Sequence, residues 1–441
     1  MLRVVPRAIS VKNFKCLRDL HVALSKINIV VGPNGSGKTS LVEALYLFKL
    51  VLDYIRGRVA NPFVFWWSYR DAVWSHDEKL SVELGIEFSA AWRPEKSYIR
   101  EALRKDMGAE QVELNSVEYR VVVTGRGGGF RIVEEKLRIP ELDFVLTSRR
   151  GVSSAKIGGV ESRVEEGPPF TYLLEVPYDG FRTYGFEDDY EAVDIVVEHI
   201  GGNYVLTPES FAKTLLSSDP HRYYRVNYMI AVALASVYML LDRAIILFPE
   251  ASFRAREPAR VVRAVVPSPW GEDLAAVILT RYGGRVPDGV RSSIAYALGS
   301  PGIDIRVVPT TDGRVFIEVV EDGTGFNPPS IPAGLLKVLA IELALDLGSP
   351  LVVVDEIENS LHTRAIHRVL DDVRSSESVL IATTHSPAVI DLVNPGEVVV
   401  MERRGLNALA KRFEDPEALA KKLRELGVAL SEYLAYVAPE S

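Results

Sequence analysis

Three residue types are nearly missing from this 441-residue chain, which has one cysteine (Cys16), one glutamine (Gln111) and five methionines. A single cysteine excludes a disulfide framework within one chain and fits a reducing cytosol. Scarcity of Gln, Cys and Met together is a pattern of hyperthermophile proteins. The cation mix of 36 Arg to 15 Lys lacks the lysine enrichment that accompanies it. Long apolar runs are missing as well. Residues 1–9 carry Arg3, Pro6 and Arg7 and no apolar stretch of the secretory kind. The best membrane candidate, residues 229–241, is too short to span a bilayer and is closed by Asp242 and Arg243, so a buried core helix is expected there. The expectation is a cytoplasmic protein with no membrane partner. A net charge of −8 argues against a uniformly basic nucleic-acid binder, but not against a local basic patch. No repeat of the solenoid type is present.

What is there begins with bulk. A chain of 441 residues, 47% of them hydrophobic, predicts two or three lobes with a sizeable core. Residues 32–40 read G-P-N-G-S-G-K-T-S and fit the pattern G-x-x-x-x-G-K-[ST], with Gly32, Gly37, Lys38 and Thr39 at its fixed positions. An apolar strand, residues 27–31, runs into the motif and a helix from Thr39 to about Ile55 runs out of it. Glycines let successive N–H groups point inward at phosphate oxygens, and the helix start adds its positive end. Asn34, Gly35, Ser36, Gly37, Lys38, Thr39 and Ser40 are the candidate nucleotide contacts. In such a loop the lysine bridges the outer phosphates and the Thr39 hydroxyl ligates Mg²⁺.

Period-two alternation at 80–88, 118–124 and 130–139 predicts antiparallel strands, with a Gly-rich turn at 125–129. Residues 148–202 lack a clear period, and a helical block is expected at 208–241. A hairpin around Asp312-Gly313 joins strands at 303–308 and 314–320. Residues 334–347 read as an amphipathic helix starting after Pro332. Residues 351–354 and 379–383 are wholly apolar, as strands of a sheet covered on both faces are. The expected domains are 1–145, the first half of the nucleotide-binding head; 146–260, a mostly helical insertion; and 261–441, the second half.

Two further constellations complete a site. The strand at 351–354 ends in Asp355-Glu356, and a strand end at the edge of a buried sheet is where α/β folds bind ligands. Asp355 there can hold Mg²⁺ through its water shell, and Glu356 can orient and deprotonate an attacking water. The strand at 379–383 ends in Thr384-His385-Ser386-Pro387, one helix and one strand later, where His385 can touch a terminal phosphate.

Together these segments resemble ATP-binding-cassette ATPases of the SMC-like and RecF-like class, and most of all the ATPase part of overcoming-lysogenization-defect (OLD) nucleases. Residues 9–17, the phosphate loop, the run 355–362 (D-E-I-E-N-S-L-H) and 383–387 carry the likeness, with weaker matches at 132–137 and 271–277. The resemblance implies an α/β fold: a phosphate-loop head with a mixed central sheet, helices on both faces, an antiparallel β lobe and a helical lobe. It implies ATP and Mg²⁺ as cofactors, Thr39 and Asp355 as metal ligands, and Glu356 and His385 as catalytic residues. It adds Asn13 and Lys15 near the adenine, and Gly334 in a signature segment that meets the nucleotide of a second copy in an ATP-dependent homodimer. Pro332 stands where the relatives carry the signature serine, which counts against fast hydrolysis. Gln111 does not align with their Q-loop.

Lys38 and Asp355 lie more than three hundred residues apart, which disfavours a transporter subunit, and no sustained heptad pattern fills the gap with coiled coil. Too few residues follow Ser386 for an ordinary nuclease domain, so none is expected. DNA and a protein are the candidate further partners. Arginines at 254, 256, 260 and 263, at 149–150 and at 403–404 offer phosphate contacts on the first reading and surface ion pairs on the second. Arg56 and Arg58 divide in the same way. Trp66 and Trp67 are expected in a core or interface.

Overall fold

The computed structural model describes residues 2–55, 57–94, 97–149, 152–157, 160–165, 220–261 and 266–436. They group into two compact units, Met1–Ala23 with Ala44–Asp242, and Leu24–Glu43 with Arg243–Ser441.

The first unit is built on an antiparallel sheet of eight strands. Their order is Leu17–Ala23, Leu2–Phe14, Val82–Trp92, Val112–Thr124, Arg131–Ile139, Phe144–Arg149, Val152–Ile157 and Val160–Glu165. Alternation sets which face is buried. Along Val112–Thr124 the side chains of Val112 and Leu114, then Val117, Tyr119, Val121 and Val123, are buried. The phase changes once, between Leu114 and Val117, where the pairing with Val82–Trp92 slips between Phe88 and Ala90. A bulge of this kind returns a strand's apolar set to the core face. The glycine turn falls as expected, with Gly128 N–H donating to the Gly125 carbonyl at 3.1 Å.

The helix Pro220–Arg243 belongs to the same unit. Every residue from Tyr228 to Val237 is buried, so the apolar run expected to form a core helix does so. Among the described residues no helix is long and apolar enough to cross a membrane. The expected break at 145/146 does not coincide with an edge of this sheet, because three strands between Phe144 and Glu165 continue it. Residues 166–219 of the expected helical insertion lie outside the described residues.

The second unit carries the phosphate loop. Its sheet has six strands in the order Ile245–Leu247, Leu351–Val354, Val379–Thr383, Ile27–Val31, Val398–Arg404 and Asn407–Lys411. The first five run parallel and the last closes an antiparallel hairpin. Leu351–Val354, Val379–Thr383 and Ile27–Val31 are buried at every position, as strands covered on both faces must be. A small antiparallel sheet of Ala259–Arg260, Arg314–Glu321, Asp304–Pro309 and Thr324–Phe326 contains the expected hairpin.

One helix differs from its reading. Ala333–Asp346 is buried without a break from Leu335 to Ala344, including Lys337 and Glu342, so it is not amphipathic. Helices Asp288–Leu298 and Thr363–Ser375 pack on it, as do the strand Leu351–Val354 and the short helix Ala251–Arg254, and this leaves it no wet face. A helix that is apolar nearly all round belongs inside a domain.

Register aligns the strand ends. Val354 pairs with Ala382 and Thr383 pairs with Val30. The residues that follow these three strands, Gly32, Asp355 and Thr384, therefore leave the sheet at one edge.

Candidate nucleotide site

The phosphate loop closes on itself. Gly32 adopts φ +152°, and a Cβ there would sit 2.2 Å from the Met401 carbonyl oxygen, so only glycine fits. Ser36 N–H donates to the Pro33 carbonyl at 3.2 Å. Ser36 itself is buried, and its hydroxyl has no hydrogen-bond partner among the described residues. Lys38 is 5% exposed and donates from Nζ to the carbonyls of Gly32 at 2.8 Å and Pro33 at 3.1 Å. Burial lowers its pKa, against the opposing pull of Asp355, Glu358 and Glu356. These carboxylates lie on the segment expected to carry the metal and the water. Asn34, Gly35 and Thr39 are exposed, Gly37 is buried and Ser40 is half-buried.

Asp355 is 2% exposed. Thr383 organises it: the Thr383 hydroxyl donates to Asp355 Oδ1 at 2.5 Å and accepts from Glu356 N–H at 2.8 Å. Two backbone bonds fix the same corner, Asp355 N–H to the Leu247 carbonyl at 2.9 Å and Ile357 N–H to the Thr383 carbonyl at 3.0 Å. Glu356 sits at φ +48°, a conformation that costs a non-glycine residue of order 1 kcal/mol or more. Its carboxylate accepts no hydrogen bond among the described residues.

The loop that follows is held from two sides. Lys337, 2% exposed, donates from Nζ to the carbonyls of Glu356 at 2.6 Å and Asn359 at 3.2 Å. Burial pulls its pKa down to about 8, partly offset by Glu358, Glu356 and Asp355. Glu358 Oε1 accepts the backbone N–H of His385 at 2.7 Å, while Oε2 is buried without a partner among the described residues. Thr384 N–H donates to the Val30 carbonyl at 3.1 Å and so ties the His385 segment to the phosphate-loop strand. The His385 side chain is exposed and lines a cleft of about 650 Å³ with Gly32 and Pro33.

Gly334 has a packing role: a Cβ there would meet the Ser360 carbonyl oxygen at 2.4 Å, so the start of its helix lies against the loop after Glu356. Pro332 precedes this helix without a side-chain cap, and Arg256 Nη2 donates to the neighbouring Ile331 carbonyl at 2.7 Å.

Asn13 and Lys15 belong to the other unit. There Asn13 Nδ2 donates to the Ser81 carbonyl at 3.0 Å and Lys15 N–H to the Ala72 carbonyl at 2.8 Å. Gln111, in that unit too, donates to Glu113.

The arginine clusters divide. Arg256 turns onto Ile331, Arg254 stacks 5.8 Å from the Trp270 ring centroid, Arg149 pairs with Glu134 at 3.5 Å and Arg58 with Asp53 at 3.4 Å. Arg56, Arg150 and Arg263 lie outside the described residues. Trp66 is buried edge-on to Phe14, whereas Trp67 is 92% exposed, so of the expected core or interface positions the core one holds for Trp66 alone. Sequence reasoning missed Thr383, Lys337 and Glu358 as organisers of the site. The first was signalled only by its place at the end of an apolar strand.

A phosphate loop, a strand ending in Asp-Glu and a histidine after the next parallel strand, all at one sheet edge, define the class of phosphate-loop ATPase heads. The family comparisons agree. Residues 7–125 match the model for "AAA ATPase domain", and residues 142–391 match the model described as "AAA domain, putative AbiEii toxin, Type IV TA system". The second match spans more than half of the chain, and the chain belongs to that family of AAA ATPase domains.

Among curated proteins it is similar to an OLD nuclease of Thermus scotoductus, 44% identical over 41 residues, covering 9% of this chain and 8% of the relative. It is also similar to the DNA replication and repair protein RecF of Thermomicrobium roseum, 50% identical over 49 residues, 11% of this chain and 12% of the relative. The chain thus spans about a tenth of the length of these relatives in its matches. Similar solved structures include the Smc head domain of Pyrococcus furiosus bound to the C-terminal domain of ScpA. It is 14% identical over 96% of this chain and 100% of that one, with a TM-score of 0.42. The SMC head of Thermotoga maritima is 13% identical over 93% and 100%, with a TM-score of 0.37. At such scores the fold assignment rests on strand order and the family models. The expected phosphate-loop ATPase is borne out at the level of class by the family models, with local likeness to OLD and RecF proteins beside it.

Among the described residues no three His, Cys, Asp or Glu side chains group as a metal cage. The donors at this edge, one hydroxyl (Thr39) and one carboxylate (Asp355), suit Mg²⁺, which takes few protein ligands and fills its shell with water and phosphate oxygens.

Proposed function

We propose that the protein binds ATP on residues 32–40 and hydrolyses it slowly in the cytoplasm, as an ATP-dependent homodimer that switches a DNA or protein partner. The observation that carries the reading is the meeting of Lys38, Asp355, Glu356 and the His385 segment at the end of three register-aligned strands. In this reading backbone N–H groups of the loop hold the phosphates. Lys38 exchanges its carbonyl partners for outer phosphate oxygens. Glu356 takes a proton from water as the water oxygen bonds to the terminal phosphorus and the bond to the bridging oxygen breaks, releasing ADP. His385 steadies the departing phosphoryl group. Thr39 and Asp355 would hold Mg²⁺, which neutralises charge on the phosphates when bound.

Pro332 favours a second reading, in which ATP governs assembly with little turnover. It removes the hydroxyl that the resemblance places on the partner's nucleotide and leaves only helix-start N–H groups. The test is nucleotide binding and hydrolysis by purified protein. Lys38→Ala is expected to abolish ATP binding, and Glu356→Gln to trap an ATP-bound dimer by light scattering. Unchanged ATP affinity in Lys38→Ala rejects the site. Tight binding by the wild type with no turnover selects the second reading.

A further inference from the structure

The hairpin after the His385 strand brings an arginine onto the phosphate loop that the reading above leaves without a role. Arg403 stands near the end of strand Val398–Arg404, the direct parallel neighbour of the phosphate-loop strand. Its Nη1 donates to the Gly35 carbonyl at 3.4 Å and its Nε to the Gly405 carbonyl at 3.0 Å. Both acceptors are neutral, and among the described residues no carboxylate pairs with it. Its sequence neighbour Arg404 lines the same cleft but is already paired there, with Glu402 at 3.6 Å. Arg403 also lines the 650 Å³ cleft together with Gly32, Pro33 and His385. A guanidinium with three N–H donors outside these two bonds therefore shares one cavity with the start of the phosphate loop and His385. Arginine's planar fork suits two-point contact with phosphate oxygens.

We propose that Arg403 is a catalytic residue of this ATPase. Within its own chain it lays its guanidinium against the terminal phosphate of bound ATP and stabilises the charge that develops as that phosphate leaves. This deepens the proposed function and rests on it. It also bears on Pro332, since a cation supplied in cis offsets the hydroxyl missing from the signature segment.

The experiment measures ATP and ADP affinity and steady-state hydrolysis for wild type, Arg403→Ala, Arg403→Lys and Arg404→Ala, with melting temperature recorded for each. Arg403→Ala is expected to weaken ATP by about 10- to 100-fold, as loss of a charged hydrogen-bonding contact does. It is expected to leave ADP affinity unchanged and to lower kcat more than it raises KM. Arg403→Lys recovers part of the loss, and Arg404→Ala matches wild type. If Arg403→Ala fails to fold, Arg403→Gln, which retains side-chain donors to the two carbonyls, takes its place. Equal changes for ATP and ADP, or none, would overturn the proposal while the ATPase stands, and a lowered melting temperature beside them would assign Arg403 a structural role. A wild type that binds no ATP sinks the ATPase reading itself.

Discussion

The two units dispose of their charges in opposite ways. On the antiparallel sheet, charges pair across strands on the wet face. Arg120 joins Glu83 at 3.2 Å and Glu134 at 2.6 Å, and Arg138 meets Glu118 at 3.1 Å. The fully buried carboxylate there, Glu135, takes the Tyr119 hydroxyl at 2.8 Å. In the parallel unit, Lys38, Lys337 and Asp355 are all at most 5% exposed and converge at one strand edge. A sheet with one face in water can export its ions at little cost. A sheet covered on both faces can place them only at strand ends, where they meet each other and whatever binds there. Substitutions should therefore be costly at the parallel edge and nearly free on the antiparallel face.

The largest effect is expected at Gly334. A methyl there would lie 2.4 Å from the Ser360 carbonyl oxygen, and neither partner is a flexible side-chain end. Gly334→Ala must push the helix start away from the loop that follows Glu356 and is expected to cost about 2–3 kcal/mol, the upper part of the overpacking range. Hydrolysis falls with it, because the Lys337 anchor on the Glu356 carbonyl shifts. Gly289, in the helix Asp288–Leu298, is the control, since a Cβ there meets nothing within 4 Å. Gly289→Ala is expected between neutral and about 1 kcal/mol more stable. Equal melting temperatures for the two variants would mean that Gly334 is not held by close approach.

The next effect is a pH dependence beneath the same helix. Glu342 is 5% exposed and faces Asp372, Arg368 and Ser293. Burial, then the Asp372 carboxylate, push its pKa up to about 8 from 4.5, against the weaker opposing pull of Arg368 and Ser293. Between those two values the folded protein keeps a proton that the unfolded chain has released. Its stabilising contribution is complete below the lower value and is lost as pH rises through the window, at up to about 1.4 kcal/mol per pH unit. Glu342→Gln keeps the shape of the neutral acid and should flatten that slope, matching wild type near pH 4 and exceeding it at pH 9 in urea unfolding. An unchanged slope in the variant would remove Glu342 as its source.

What could be read in advance follows the same division. The phosphate loop, the Asp-Glu strand and the histidine segment are local patterns, and register then brought them together. Strands at 112–124 and 131–139 showed their period, but the bulge between Leu114 and Val117 depends on the partner strand, so the full lengths did not show. The helix at Ala333–Asp346 was read as amphipathic because Lys337 and Glu342 look like surface residues in isolation. Their burial is decided by two helices contributed from elsewhere in the chain. Thr383, Glu358 and Arg403 act on residues distant in sequence, Asp355 and Glu356, His385, and Gly35, mostly through backbone atoms, and no spacing rule announces such contacts.

The smallest effect should come from the antiparallel face. Arg120 is a stringent case because it bridges two carboxylates, and Glu134 holds Arg149 as well, so four strands share one network. Its partners are mostly shielded, with side chains 19% and 17% exposed, while Arg120 itself is 37% exposed. Water and salt still reach the guanidinium, and ordering three long side chains offsets part of the attraction. Arg120→Ala is expected to cost about 0.5–1 kcal/mol, less at high salt, and to leave nucleotide affinity unchanged. A loss above about 2 kcal/mol that persists in high salt would mean that the network behaves as a buried one. The contrast between the wet sheet and the dry one would then rest on geometry alone rather than on where each can afford its charge.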